Sequence, residues 1–283
     1  MSHQKLYLCY SINDIFAREA GISMIGFFEN NPDYEPDEVF ILDYGLHPIN
    51  KKRLDGIAAN YGKRVTFLGA KATTDLVRRE YPQLCAWRGS MAPNAKCFIE
   101  QIIPEYVERL LFIDADTVVA GSISELTTLD MSNTPLAVVP ANTEMYFNSG
   151  VLLYNLAVWR SKGCAQMMIE TLQKTKQLVW PDQDLLNSAI PKQWLTMLPP
   201  KYNYVSHYLS PEQELEWLQT WKYYSDHEIN EAIQHPVIIH YLSGNIHARP
   251  WYEGCKSHCA EVYFRYKALS PWKDTPLFKP SLC

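Results

Sequence analysis

The stretch "LLFIDADT", Leu110 to Thr117, sets four apolar residues before two aspartates separated by one alanine. The apolar half reads as a buried strand. Residues two apart on a strand face the same side, so Asp114 and Asp116 are expected to point together. Two carboxylates on one side of an open sheet end repel each other unless a cation lies between them, and such hard oxygen ligands suit Mg2+ or Mn2+. A blander reading also fits: two turn aspartates capping a helix that begins near Ser122.

Working back toward the N-terminus, strand-like and helix-like stretches alternate. "KLYLCY" is a short apolar run, followed by Phe16, Ala20, Met24 and Phe27 at helical spacing. "VFILDYG" is a second strand stopping at Gly45. "NKKRLDGIAANYG" predicts a helix with Asn50 at its N-cap and Gly62 as its stop. "RVTFLG" is a third strand, and a helical stretch around Ala95 to Ile103 leads into "LLFIDAD". Three β-α units before the aspartates predict an α/β fold, a mostly parallel Rossmann-like sheet covered on both faces. Ligands of such sheets bind beyond the carboxyl ends of the strands, where Asp114 and Asp116 fall.

Working forward, "LAVVPA" and "YFNSGVLLYNL" read as strands, "AQMMIETLQKTKQ" as a helix, and "PDQDLLNSAI" as a helix opened by Pro181. Pro199 to Pro211 reads as loop, and "PVIIHYL" as a last buried strand. These elements predict one catalytic domain over residues 1–248 and a C-terminal extension over 249–283. In that extension six Lys/Arg oppose three Asp/Glu among seven aromatics, Trp251, Tyr252, Tyr263, Phe264, Tyr266, Trp272 and Phe278. The mixture suits contact with anionic lipid, and equally a segment that packs its aromatics on the main domain.

At 283 residues, 47% hydrophobic and 20% charged, the chain has material for a large core, and its net charge of −5 gives no reason to expect nucleic acid as a partner. The start "MSHQKLYLCYSIND" lacks a signal-peptide pattern, and no apolar run is long enough to span a bilayer. Seven scattered cysteines suit thiols in a reducing cytoplasm, and "CKSHC" (Cys255–Cys259) has poor spacing for zinc.

Two chemistries use an apolar strand followed by D-x-D. In a phosphohydrolase of the haloacid dehalogenase type the first aspartate attacks phosphorus and the second acts as acid, usually on the first strand and with a later acidic pair after another strand. Here the motif follows three β-α units, and the later cluster "PDQD" opens a helix. In nucleotide-sugar transferases both carboxylates hold a divalent ion that grips the donor diphosphate, which fits nucleotide-binding strands before the motif and acceptor elements after it.

Four motifs in order, "LLFIDAD", "YFNSGVLLYNLAVWR", "PDQDLLN", and "IHYLSG" followed by "RPW", resemble glycosyltransferase family 8 from Leu6 to about Trp251. The tail "YKALSPWKDTPLFKP" resembles the C-terminal extension of bacterial lipopolysaccharide core glucosyl- and galactosyltransferases. The resemblance implies a GT-A fold with a short helical extension, a UDP-glucose or UDP-galactose donor, Mn2+ (with Mg2+ as the substitute), and retention of anomeric configuration. By position it implies Asp114, Asp116 and His240 as metal ligands, with Asn13 at the uridine. Lys96, Gly244 and Arg249 (where the family usually has lysine) fall near the diphosphate, and Asn148 and Asp182 at the donor sugar. Gln183 falls beneath the anomeric carbon. An amide is a poor nucleophile, so a front-face mechanism is expected, with Asp184 the nucleophile if a covalent intermediate forms. The link from "VVPA" to "YFNSG" is only four residues, implying an open acceptor site. The acceptor implied is a hydroxyl of lipopolysaccharide core or a related surface glycan, reached at the cytoplasmic face of the inner membrane through peripheral contact. A soluble or protein acceptor is the alternative.

Overall fold

Strands β1 (Leu6–Ile12), β2 (Glu38–Asp43), β3 (Arg64–Gly69) and β4 (Arg109–Ile113) are the apolar runs read from the sequence, and they pair in parallel in the order β3-β2-β1-β4. The computed structural model describes residues 5–141, 145–206, 223–242 and 246–279. Beyond β4 the sheet changes direction. β7 (Phe147–Asn155) runs antiparallel to both β4 and β6 (Leu136–Pro140), and β8 (Leu195–Met197) adds a parallel edge. A second, three-stranded sheet has the order β5-β10-β9, from Thr117–Val119, Ile238–His240 and Tyr204–Val205.

The large sheet is buried on both faces, and successive residues serve opposite cores. Leu8, Tyr10, Val39, Ile41, Leu111 and Ile113 join one cluster; Cys9, Phe40, Leu42, Leu110 and Phe112 join the other. That two-residue alternation, with apolar side chains at both phases, is why these strands read as continuous hydrophobic runs. The fold is the mostly parallel α/β layering expected from the motif order.

Four details differ from the sequence reading. The second helix is Pro48–Asn60, capped by the His47 side chain, which accepts from the Ile49 N–H at 3.3 Å. Asn50 therefore lies inside the helix, where its amide donates to Asp14 (2.9 Å). The helix Lys71–Glu80 escaped notice because it buries only Thr74 and so lacks an apolar stripe. The stretch before β4 is a 3-10 helix, Ala92–Gln101. Part of the expected loop after Pro199 is a short 3-10 turn, Pro200–Asn203, leading into β9; residues 207–211 lie outside the described residues.

The C-terminal aromatics mostly pack inward. Trp251, Tyr263, Tyr266 and Trp272 are all buried in the core that holds the helix Ala17–Asn30. That helix carries glycines where the rings approach: a Cβ at Gly21 would sit 2.5 Å from Trp272, and one at Gly26 3.1 Å from Tyr266. Phe264 and Phe278 are the exposed members. Of the "CKSHC" segment, Cys259 is buried in the same core, and His258 bonds the Tyr204 hydroxyl at 3.2 Å. Among the described residues, no helix is long and apolar enough to cross a membrane.

Candidate active site

Parallel pairing of β1 with β4 brings Asn13 and Asp114 to the same edge, each just past the end of its strand. Asp114 and Asp116 do not lie on a strand. β4 ends at Ile113, and the chain turns through Asp-Ala-Asp into β5. Backbone bonds fix the turn: Asp114 N–H donates to Gly150 O (2.8 Å), and Tyr241 N–H to Asp116 O (2.9 Å). Antiparallel pairing of β5 with β10 sets Thr117 opposite His240. One ligand atom each from Asp114, Asp116 and His240 then fall within 4.8 Å of one another. The three residues converge as the sequence reading expected, by a turn and a cross-strand register rather than by strand alternation.

A chain of hydrogen bonds orients the His240 ring. The Gly150 N–H donates to Asn148 Oδ1 at 2.9 Å, which identifies that atom as the oxygen. The Asn203 atom facing it at 2.9 Å is therefore the amide nitrogen, and Asn203 presents its oxygen to His240 Nδ1 at 2.9 Å. In the neutral ring Nδ1 then carries the proton and Nε2 the lone pair. Nε2 lies 3.1 Å from Asp116 Oδ1, so in the neutral ring two acceptors face each other. A divalent cation resolves that confrontation, or a second proton on the ring. Two carboxylates and an imidazole with an oriented outer partner are a donor set that fits Mn2+. Gly150 makes room for the ring, since a Cβ there would lie 2.1 Å from His240 Cε1.

Around this triad the charges divide. Lys96 is wholly buried and donates to Asp114 (2.8 Å) and the Ser149 carbonyl (2.9 Å), with Asp182 at 3.2 Å. Its three protons thus have three protein acceptors. Burial works to lower its pKa, but Asp114 and then Asp182 outweigh it and hold the ammonium above the ordinary lysine range. Burial, reinforced by Asp116, raises the Asp114 carboxyl despite Lys96. Burial also acts to raise Asp116, but His240 and then Arg249 outweigh it, and that carboxyl is held below the usual range. Arg249 lies 3.8 Å from Asp116, stacks on Trp251, and has a buried Nε with no partner among the described residues. Burial lowers its pKa most, Asp116 opposes this, and the charge of Arg88 adds to the depression. Asn13 likewise has a buried Oδ1 without a partner. Gly244 lies outside the described residues.

The "FNSG" and "PDQD" motifs interlock. The helix Pro181–Ala189 starts with proline in its first turn, and its Asn187 both accepts from and donates to the Phe147 backbone (each 2.9 Å). Gln183 Oε1 accepts from Asn148 Nδ2 (2.9 Å) and the Ser149 N–H (3.2 Å). Asp182 accepts from the Ser149 hydroxyl at 2.6 Å. Asp184 is turned to its own helix start, where it accepts from the Val179 N–H (2.7 Å), the Trp180 N–H (2.9 Å) and the Tyr146 hydroxyl. Sequence reasoning assigned no role to Ser149, Gly150 or Asn187, although all three stand inside quoted motifs. Asn203 lay in a stretch read as loop, with no motif to mark it.

The amino-acid sequence matches the family described as "Glycosyl transferase family 8" over residues 7–255. It is 25% identical to General stress protein A of Bacillus subtilis, across 94% of each chain. It is 26% identical to a lipopolysaccharide 1,2-glucosyltransferase of Escherichia coli (95% of this chain, 80% of the relative), and 22% identical to the lipopolysaccharide 1,3-galactosyltransferase of Salmonella typhimurium (98% and 82%). Among solved structures, the galactosyltransferase LgtC in complex with donor and acceptor sugar analogues superposes with a TM-score of 0.76 at 19% identity, covering 95% of this chain and 99% of that one. A likeness at that identity speaks for the shared GT-A fold. With the match running from β1 to past Trp251, and so through every element that builds the site, the chain belongs to glycosyl transferase family 8.

Proposed function

We propose that this protein is a Mn2+-dependent retaining transferase that moves glucose or galactose from a UDP-sugar to a hydroxyl of bacterial lipopolysaccharide core or a related surface glycan. The observation that carries the reading is the convergence of Asp114, Asp116 and His240, one ligand atom of each within 4.8 Å of the others, with His240 Nε2 3.1 Å from Asp116 Oδ1. Asp114, Asp116 and His240 would hold the ion, which supplies charge stabilisation for a departing diphosphate. Arg249 adds positive charge on the same side, and Lys96 neutralises Asp114 and Asp182 from beneath.

Asn13, with its unpartnered oxygen at the end of β1, suits an N–H of the uracil ring. Asn148 and Asp182 border Gln183, where the donor sugar would lie. Gln183 is uncharged and its oxygen already accepts two hydrogen bonds, so it steadies positive charge at the anomeric carbon rather than attacking it. Departure and return then occur on one face, and the leaving diphosphate takes the acceptor's proton. Asp184 serves as a clamp on the helix that presents Gln183, because its oxygens already bond Val179, Trp180 and Tyr146. Membership of a transferase family leaves the D-x-D phosphohydrolase alternative without support.

The glycolipid acceptor and peripheral attachment to the cytoplasmic face of the inner membrane rest on the names of the Escherichia and Salmonella relatives and on the exposed Phe264, Leu269 and Phe278. Burial of the other tail aromatics favours, as a second reading, a soluble or protein acceptor. Thermal melts with UDP, UDP-glucose and UDP-galactose, with and without Mn2+, test the donor site. UDP should raise Tm only with Mn2+, and Asp116→Asn should abolish the shift. A metal-independent shift that survives the substitution overturns the metal reading, and stimulation by anionic liposomes separates the two acceptors.

A further inference from the structure

The C-terminal segment meets the helix Ala17–Asn30 in reverse order. The Tyr266 hydroxyl accepts from Asn30 (2.7 Å) and its ring lies over Gly26, Trp272 packs on Gly21, and residues 276–278 reach Arg18 in the first turn. That turn comes soon after Asn13 at the carboxyl edge of the sheet, so the tail runs back along the helix toward the site. It is fastened there on a buried anchor. Arg18 and Glu19 are both buried, and Glu19 Oε1 accepts from Arg18 Nε (2.9 Å) and Nη2 (2.7 Å). Nη1 is left to donate to the Pro276 carbonyl (3.2 Å), and the guanidinium covers the Phe278 ring, 4.5 Å from its centroid.

What Phe278 holds is the segment that carries Arg249. The Phe278 N–H donates to the Trp251 carbonyl (2.8 Å), the Glu253 N–H donates to the Phe278 carbonyl (2.9 Å), and the Tyr252 and Phe278 rings lie 5.6 Å apart. One turn earlier the Tyr252 N–H donates to the Arg249 carbonyl (3.1 Å), and the Arg249 guanidinium lies 5.6 Å from the Trp251 ring and 3.8 Å from Asp116. Residues 249–254 belong to no helix and to neither sheet, so neither a helix nor a sheet ladder fixes their backbone. Phe278 supplies two of the bonds that do. Its ring is 44% exposed and so adds little to the core; its part is attachment.

We propose that residues 276–278, clamped by Arg18, form a strap that positions Arg249 for the diphosphate of the nucleotide donor. The inference rests on the donor reading above. Arg18 and Phe278 are positioning residues that act through Arg249. A long side chain on a fixed backbone gives up less freedom when it meets an anion, and the strap moves that ordering cost from binding to folding.

Phe278→Ala removes the ring on which Arg18 and Tyr252 rest, and Phe278→Tyr keeps it. Calorimetric titrations with UDP plus Mn2+ and with uridine compare these two variants, Arg249→Met, and Phe278→Ala combined with Arg249→Met. UDP binding should weaken about tenfold in Arg249→Met, the scale of one lost charge-assisted contact, and about fivefold in Phe278→Ala. Uridine affinity should be unchanged in both, and Phe278→Tyr should bind UDP as the unaltered protein does. On the Arg249→Met background Phe278→Ala should weaken UDP by less than about twofold more, because nothing is left to position. A UDP loss below about twofold in Phe278→Ala, an equal loss for uridine, or losses that multiply in the double variant overturns the strap alone. Failure of the unaltered protein to bind UDP with Mn2+ overturns the donor reading, and this inference with it.

Discussion

Asp114 faces a lysine whose three donors are all taken by protein acceptors, whereas Asp116, two residues later, faces His240 Nε2, which in the neutral ring is an acceptor as well. The first side of the site is complete as it stands. Buried Lys96, Asp182 and Ser149 and half-buried Asp114 form a closed set that holds β7 and the Pro181–Ala189 helix to β4. The second side has atoms at Asn13 and Arg249 that find no partner among the described residues, beside the Asp116–His240 contact. A polar group left unpaired in a buried site costs free energy unless a ligand pairs it. The difference therefore marks Lys96, Asp182 and Ser149 as scaffold and Asp116, His240, Asn13 and Arg249 as the side that receives metal and nucleotide, with Asp114 between them serving both.

Breaking the closed side should have the largest effect. Lys96→Met keeps much of the side chain's bulk but leaves Asp114 and Asp182 buried beside each other with no cation. Removing one partner of a buried ionic set costs about 3–5 kcal/mol. Urea unfolding should show a loss on that scale, together with loss of transferase activity. A loss below about 1 kcal/mol would mean that Lys96 is not the keystone that its three bonds suggest.

Gly150→Ala probes the wall between the two sides. The new methyl would lie 2.1 Å from His240 Cε1 and 2.6 Å from Nδ1, so the ring must move or the strand must bend. Overpacking of this kind costs roughly 1–3 kcal/mol. Because the displaced ring carries Nε2 away from Asp116, Mn2+ affinity should fall more steeply than stability does. Metal titration beside a melt gives both numbers, and an unchanged Mn2+ affinity would remove His240 from the ligand set.

How much of this was legible beforehand varies with the range of the interactions. β1 to β4 could be read because apolar residues at both phases of a strand reflect burial on both faces, a local signal. The triad could be proposed from motif order, but not its geometry: the aspartates occupy a turn, and the β5–β10 register brings in His240. Asn203 was invisible because nothing in "PPKYNYV" shows that it orients a histidine 37 positions later. Lys96 was placed near the diphosphate, yet its partners come from β7 and the helix after residue 180, contacts that no local pattern encodes. The tail's aromatics fitted a membrane surface and a core equally, and the glycines that admit Trp272 and Tyr266 lie some 240 residues away, in a helix whose spacing says nothing of them.

Asp116→Asn should change unliganded stability least, and its pH dependence tests the comparison most directly. At about pH 8, where imidazole is ordinarily neutral, the new amide can donate to Nε2 and relieve the confrontation, while the distant contact with Arg249 is lost. These effects oppose each other, so stability should change by less than about 1 kcal/mol. The sign follows from the depressed Asp116 carboxyl, which contributes stability above the ordinary carboxylate range and loses it as pH falls through its lowered value. The loss in the variant should therefore be constant from pH 8 to about 5 and shrink as pH falls below about 4, with urea midpoints as the readout. A loss equal at about pH 7 and about pH 3 would show that the Asp116 carboxylate contributes nothing through its ionised form, and the two sides of the site would no longer differ in this way.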